Sequence, residues 1–221
     1  WNYDNLESFD HLIEPIKNAG FEFWVVPGVL NSNKLFPNFY QAFGNIKNFV
    51  RDGKKYGASG VLNCVWDDGG AALFSNDWLG VAYGAEKSWN TGSVDSTFGL
   101  RFSGGIYASS NENYFNAIWK LNELASLEST DGLTDKVLFT KLVPDEGKEL
   151  RISVIDWDKT LAVIDESEKL LAGSDLNLYE SDREYLQFVI DLYRSLASER
   201  INLIKASEDY SVALNKVNEN P

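Results

Sequence analysis

The chain of 221 residues is 44% hydrophobic and 14% aromatic, enough apolar material for one large core or two small ones. Its formal net charge of −13 argues against a phosphate-backbone partner, because nucleic-acid binding needs clustered Lys and Arg rather than surplus carboxylates. No run of eighteen apolar residues is present, so no membrane span is expected.

The chain opens on Trp1, shows no secretory leader and contains no methionine, so it reads as a piece of a longer polypeptide. The compartment stays open. A lone Cys64 allows no intrachain disulfide and sits inside an apolar run, where a buried structural thiol is expected.

In chain order, Phe9 to Ala19 reads as a short helix ended by Gly20. It carries the only histidine, His11, which lacks any partner at metal-ligand spacing and is expected in a surface or cap role. Phe21-Glu-Phe-Trp-Val-Val-Pro-Gly28 is an apolar run that reads as a strand over 21–26. Pro37 to Tyr56 then has helical spacing and is closed by Gly57. A second apolar strand over 60–65 ends abruptly in Trp66-Asp67-Asp68. Strand, helix and strand form a βαβ unit, which forces a parallel pair. In parallel α/β folds, ligands sit beyond the carboxyl ends of the strands, so Trp66, Asp67 and Asp68 fall where a site is expected.

A further helix is expected from Asn76 to Trp89, and the Gly- and Ser-rich residues 91–108 read as an irregular packed connector. Beyond it the pattern becomes purely helical. Asn111 to Ala125 places Phe115, Ile118, Trp119 and Leu124 on one face. Leu150, Val154, Trp157, Leu161 and Ile164 form a bundle seam, with turns at Pro144–Gly147 and Gly173–Asn177. Ser181-Asp-Arg-Glu184 is a capping-box signature, opening a helix with Leu186, Val189, Ile190, Tyr193, Ala197, Ile201 and Ile204 on its stripe. The expected organisation is therefore an α/β region over 1–108 and a helical domain over 109–221.

Two parallel strands with three helices leave both strand edges open, and open edges invite pairing. The sheet reads as incomplete, to be finished by another polypeptide or by a second copy of this chain.

At the strand end, side chains alternate, so Trp66 and Asp68 share a side while Asp67 points away. Trp66 is either a core tryptophan or an apolar platform for a sugar ring. Asp68 is either an acceptor for sugar hydroxyls or a turn former before Gly69-Gly70. Asn31 and Asn33, after the first strand, are either ligand-contacting amides or ordinary turn residues. Trp1 and Tyr3 fit the close of a preceding strand. Gly69-Gly70 and Gly104-Gly105 match no dinucleotide or phosphate-loop pattern, so no cofactor is expected.

The chain resembles family-20 glycoside hydrolases, the β-N-acetylhexosaminidases, and in particular their bacterial branch with a helical domain after the barrel. The matching text is Phe23-Trp-Val-Val-Pro-Gly-Val-Leu-Asn31, Asn45-Ile-Lys-Asn-Phe-Val-Arg-Asp-Gly53, Tyr56-Gly-Ala-Ser-Gly-Val-Leu-Asn63, Trp66-Asp-Asp68 and Gly80-Val-Ala-Tyr-Gly-Ala-Glu-Lys-Ser-Trp89. The resemblance covers residues 1–108 and extends to the helical half by architecture. It implies that the two strands are the last two of a (β/α)₈ TIM barrel whose other six lie upstream. It also implies retaining, substrate-assisted hydrolysis of terminal N-acetylhexosamine from glycans, the 2-acetamido group being the nucleophile. The family's Asp-Glu pair, which orients the acetamide and supplies the general acid, has no counterpart here. By the same resemblance Trp66 lines the sugar subsite, Asp68 bonds sugar hydroxyls, Asn31 and Asn33 fall near acetamide- and hydroxyl-contacting groups, and Trp1 falls near a pocket tryptophan. A non-catalytic carbohydrate-binding or interaction module is the alternative.

Overall fold

A computed structural model describes residues 1–69, 71, 73–139 and 153–219. The expected Pro144–Gly147 turn, Leu150 of the bundle seam, and Gly70 lie outside the described residues.

Helix α1 (Asp10–Asn18) is followed by strands β1 (Trp24–Val25) and β2 (Gly28–Leu30), then by α2 (Phe39–Tyr56). Strands β3 (Gly60–Val61) and β4 (Cys64–Trp66) lead into α3 (Trp78–Trp89). β1 pairs with β3 and β2 with β4, both parallel, as a βαβ unit requires. Trp24 faces Gly60 and Leu30 faces Trp66, so both pairs keep an offset of 36 residues and form one strand line crossing a break. The break falls at Pro27, which has no N–H to give to a ladder. Its carbonyl still accepts from Cys64 N at 2.9 Å, and this holds the register. The first strand therefore runs past the expected end at Val26 and reaches Leu30.

One face of this strand line is packed by α2 and α3. Val25 and Val29 point to it and are buried. A Cβ on Gly80 of α3 would lie 2.1 Å from the Val29 Cγ2, so only glycine lets α3 sit this close. The opposite face is open: Trp24, Leu62 and Trp66 are all exposed. Among the described residues no third strand flanks either edge, and no closed barrel forms.

Residues 91–108 differ from the expected connector. A 3₁₀ turn at Asp95–Thr97 runs into α4 (Phe98–Tyr107), which buries Phe98, Phe102 and Tyr107. Spacings of four and five residues spread these rings over about half of the helix circumference, and their burial outweighs the propensity cost of Gly104 and Gly105. Then come α5 (Asn113–Leu121), 3₁₀ turns, α6 (Lys136–Phe139), α7 (Val154–Ala172) and α8 (Ser181–Glu219).

In α7 the buried stripe is Trp157, Thr160, Ile164, Ser167 and Leu171, whereas Val154 and Leu161 of the expected seam are only half-buried. The small polar members are satisfied, Ser167 Oγ donating to Ala117 O at 2.8 Å and Thr160 bonding Ser129 at 2.7 Å. All seven stripe residues expected in α8 are buried. Its start lies at Ser181 as the capping signature indicates, but no capping-box bond forms. Asp182 instead accepts from the Tyr107 hydroxyl at 2.9 Å, tying α8 to α4. One buried apolar cluster runs from Val29 to Ile204 and so crosses the expected boundary at 108.

Candidate functional site

The parallel pair delivers β2 and β4 side by side, with Asn31 N donating to Trp66 O and Asn33 N to Asp68 O, each at 2.8 Å. Side-chain parity then splits the strand ends into two environments.

The open face carries Cys64, Trp66 and Asp68. Trp66 is 44% exposed, which removes the core reading and leaves a ring available to a ligand. Its indole N–H donates to the Tyr3 hydroxyl. Tyr3 is placed from α2: buried Asn45 donates to Asn2 O at 2.9 Å and Asp4 O at 3.0 Å, while Gln41 donates to Tyr3 O at 2.9 Å. Burial raises the Tyr3 phenol above its ordinary value, against the opposing effect of the Trp66 hydrogen bond. Tyr3 is thus a donor-acceptor hydroxyl fixed beside the Trp66 platform. Cys64 is half-buried on this same face rather than buried.

Asp68 is exposed and accepts from the Ser32 hydroxyl at 3.1 Å. The bond fixes a turn, as the turn-former reading expects, and leaves the rest of the carboxylate exposed. Asn33 is exposed with φ 55°, a left-handed turn position that Asn tolerates. Its backbone carbonyl accepts from Asp135 N at 2.9 Å. Trp1 is 88% exposed, so no pocket encloses it among the described residues.

The helix-side face differs from the expectation. Asn31 is fully buried, on the side of Val29, and its amide donates to Asp77 Oδ2 at 3.4 Å. It contacts no open-face ligand, because the extra reach of the first strand, to Leu30, turns residue 31 toward the start of α3. Asp67 points the same way, as alternation from Trp66 and Asp68 dictates. Burial and the charge of Asp68 raise its carboxyl above the ordinary range. Asp77 is fully buried and pushed up to about 7, by burial first, then by the charge of Asp67, with the Asn31 amide working against both. Asn31 Oδ1, Asp67 Oδ1 and Asp77 Oδ1 are buried acceptors without a donor among the described residues.

Sequence reasoning missed Asp77, because Asp just before a helix reads as an N-cap, and its side chain makes no capping bond. It also missed Lys87, 1% exposed, which donates to Ser93 O and Oγ at 2.8 and 2.9 Å and pairs with Asp95 at 2.5 Å. Lysine in the last turn of a helix gives no sign of burial.

Among the described residues no group of three or more His, Cys, Asp or Glu is arranged to hold a metal ion, and no helix is long and apolar enough to cross a membrane. The Trp66 face presents an exposed indole, the Tyr3 hydroxyl and the exposed carboxylate of Asp68. Compared with protein-family models, with curated proteins and with solved structures, the chain finds no match.

Proposed function

We propose that this chain is the carboxyl-end part of a retaining, substrate-assisted β-N-acetylhexosaminidase resembling glycoside hydrolase family 20, hydrolysing terminal N-acetylhexosamine from glycans. The observation that carries this reading is the split at the strand end: Trp66 and Asp68 on an open face beside Tyr3, with Asp67 turned into the helix layer. In it Trp66 stacks on the sugar and Asp68 accepts from its hydroxyls. The Asp-Glu pair comes from strands that close the open edges, so this chain does not turn over substrate alone. Asn31 becomes a structural residue in this reading.

The test is hydrolysis of an aryl N-acetylglucosaminide by the chain alone and after co-expression with candidate barrel-completing segments. Turnover is expected only in the completed assembly, where Trp66→Ala and Asp68→Ala each lower kcat/KM by about one to two decades. For Asp68 the loss of a hydrogen bond to a charged acceptor, worth roughly 1.5–3 kcal/mol, sets that scale. Asp67→Asn leaves kcat/KM within a few-fold. Hydrolysis by the homogeneous isolated chain, or a larger loss from Asp67→Asn, overturns the assignment.

The second reading is a non-catalytic carbohydrate-binding module. The exposed Trp66 ring, fixed by Tyr3 within this chain, favours it. It predicts sugar binding at Trp66 with no turnover in any assembly.

A further inference from the structure

Away from the strand end, α2 and α5 face each other across a groove of about 520 Å³, within the range of small-ligand sites. Each helix contributes residues at i, i+3, i+4 and i+7, which is one helical stripe. From α2 these are Tyr40, Phe43, Gly44 and Lys47; from α5 and its N-cap they are Glu112, Phe115, Asn116 and Trp119. At one end the stripes touch, Trp119 lying 5.0 Å from both Tyr40 and Phe43 between ring centroids. The other end is polar.

The polar groups divide sharply. Lys47 is bound to Asp95 at 2.7 Å, and Asp95 is also held by Lys87 and by the Tyr83 hydroxyl at 3.1 Å. Burial alone would raise the Asp95 carboxyl, but the Lys47 and Lys87 bonds outweigh it and hold it below its ordinary value. That cluster is satisfied. Glu112 and Asn116, one turn apart on α5, make no side-chain hydrogen bond to any described residue. The groove thus presents half-buried rings of Phe43, Phe115 and Trp119 next to one free carboxylate and one free amide.

We infer that this groove is a binding site for a neutral saccharide ring. Rings offer an apolar face to the C–H side of a pyranose, and a carboxylate beside an amide supplies acceptors and a donor for vicinal hydroxyls. Lys47 and Lys87 share the single carboxylate of Asp95, so with Glu112 the charges at the groove balance, which suits a neutral ligand over an ionic one. An organic ammonium would need rings flanking it within about 6 Å. Here the rings at the closed end pack on one another instead, leaving a shelf rather than a cage. The inference is independent of the strand-end reading, because none of these residues belongs to the Trp66 face.

The experiment is saturation-transfer NMR on the full chain carrying Trp66→Ala, which removes the other sugar platform. The probes are cellotriose, maltotriose and triacetylchitotriose, with sialyllactose and tetramethylammonium as charged comparisons. At least one neutral trisaccharide is expected to bind at millimolar concentration. The double variant Glu112→Ala, Asn116→Ala, with its thermal melt unchanged, is expected to weaken that binding at least tenfold. The inference is overturned if no neutral trisaccharide binds, if the double variant binds as well as its parent, or if sialyllactose or tetramethylammonium binds more tightly through Glu112.

Discussion

Asp77 gives the sharpest test of how the strand end is held. Its carboxyl is fully buried and its pKa rises from 3.8 to about 7, chiefly through burial, with the charge of Asp67 added. A folded-state pKa above the unfolded value means that the folded chain keeps a proton the unfolded chain has released. Stability from this group is therefore complete below about pH 4, declines as pH rises, and is lost above about pH 7. Each pKa unit corresponds to about 1.36 kcal/mol, so a shift of about three units amounts to roughly 4 kcal/mol. Asp77→Asn keeps the shape and the acceptor for Asn31 but cannot ionise. Between pH 5 and pH 7.5 the wild-type chain is expected to lose about 2–3 kcal/mol relative to Asp77→Asn. In a chain of this size that difference moves Tm by roughly 5–10 °C. Thermal melts of both proteins, followed by circular dichroism at half-unit pH steps from 5 to 8.5, measure it directly. A stability difference constant to within about 0.5 kcal/mol across that range would falsify the assignment of a buried, proton-holding carboxyl.

Four other outcomes rest on packing and charge. Gly80→Ala places a Cβ 2.1 Å from the Val29 Cγ2 and is expected to lower stability by about 1–3 kcal/mol in denaturant titration, as overpacking does; a neutral effect would show that α3 does not lie against β2 as described. Lys87→Met removes a 1% exposed cation and its bonds to Ser93 while Asp95 keeps Lys47, and is expected to cost about 1.5–3 kcal/mol, the scale of hydrogen bonds from a charged group. Lys47→Met breaks a pair half open to solvent and is expected to cost under about 1 kcal/mol, so equal costs would contradict the burial contrast. Because the face bearing Trp24, Leu62 and Trp66 is open, sedimentation at micromolar concentration is expected to show self-association that Leu62→Lys weakens. A monomeric wild-type chain would count against an unfinished sheet.

Local signals carried the elements with strong periodicity or unambiguous ends. Gly57, with φ 77°, closes α2 where the sequence puts its end, and the α8 stripe from Leu186 to Ile204 is buried throughout. Side-chain parity at Trp66, Asp67 and Asp68 was likewise legible, because alternation is a property of any extended chain. What escaped the sequence depended on contacts between distant segments. Pro27 reads as a strand end, yet a carbonyl bond from Cys64 carries the pairing through to Leu30 and so buries Asn31 instead of offering it to a ligand. Gly104 and Gly105 read as loop, yet the buried rings of Phe98, Phe102 and Tyr107 fold α4 over them. Asp77 and Lys87 look like ordinary helix-end residues. Only the packing of α3 against the strands desolvates one, and only the return of the chain through Ser93 and Asp95 encloses the other. Burial of a charge is decided by what comes to lie on top of it, and that is a tertiary property no local pattern encodes.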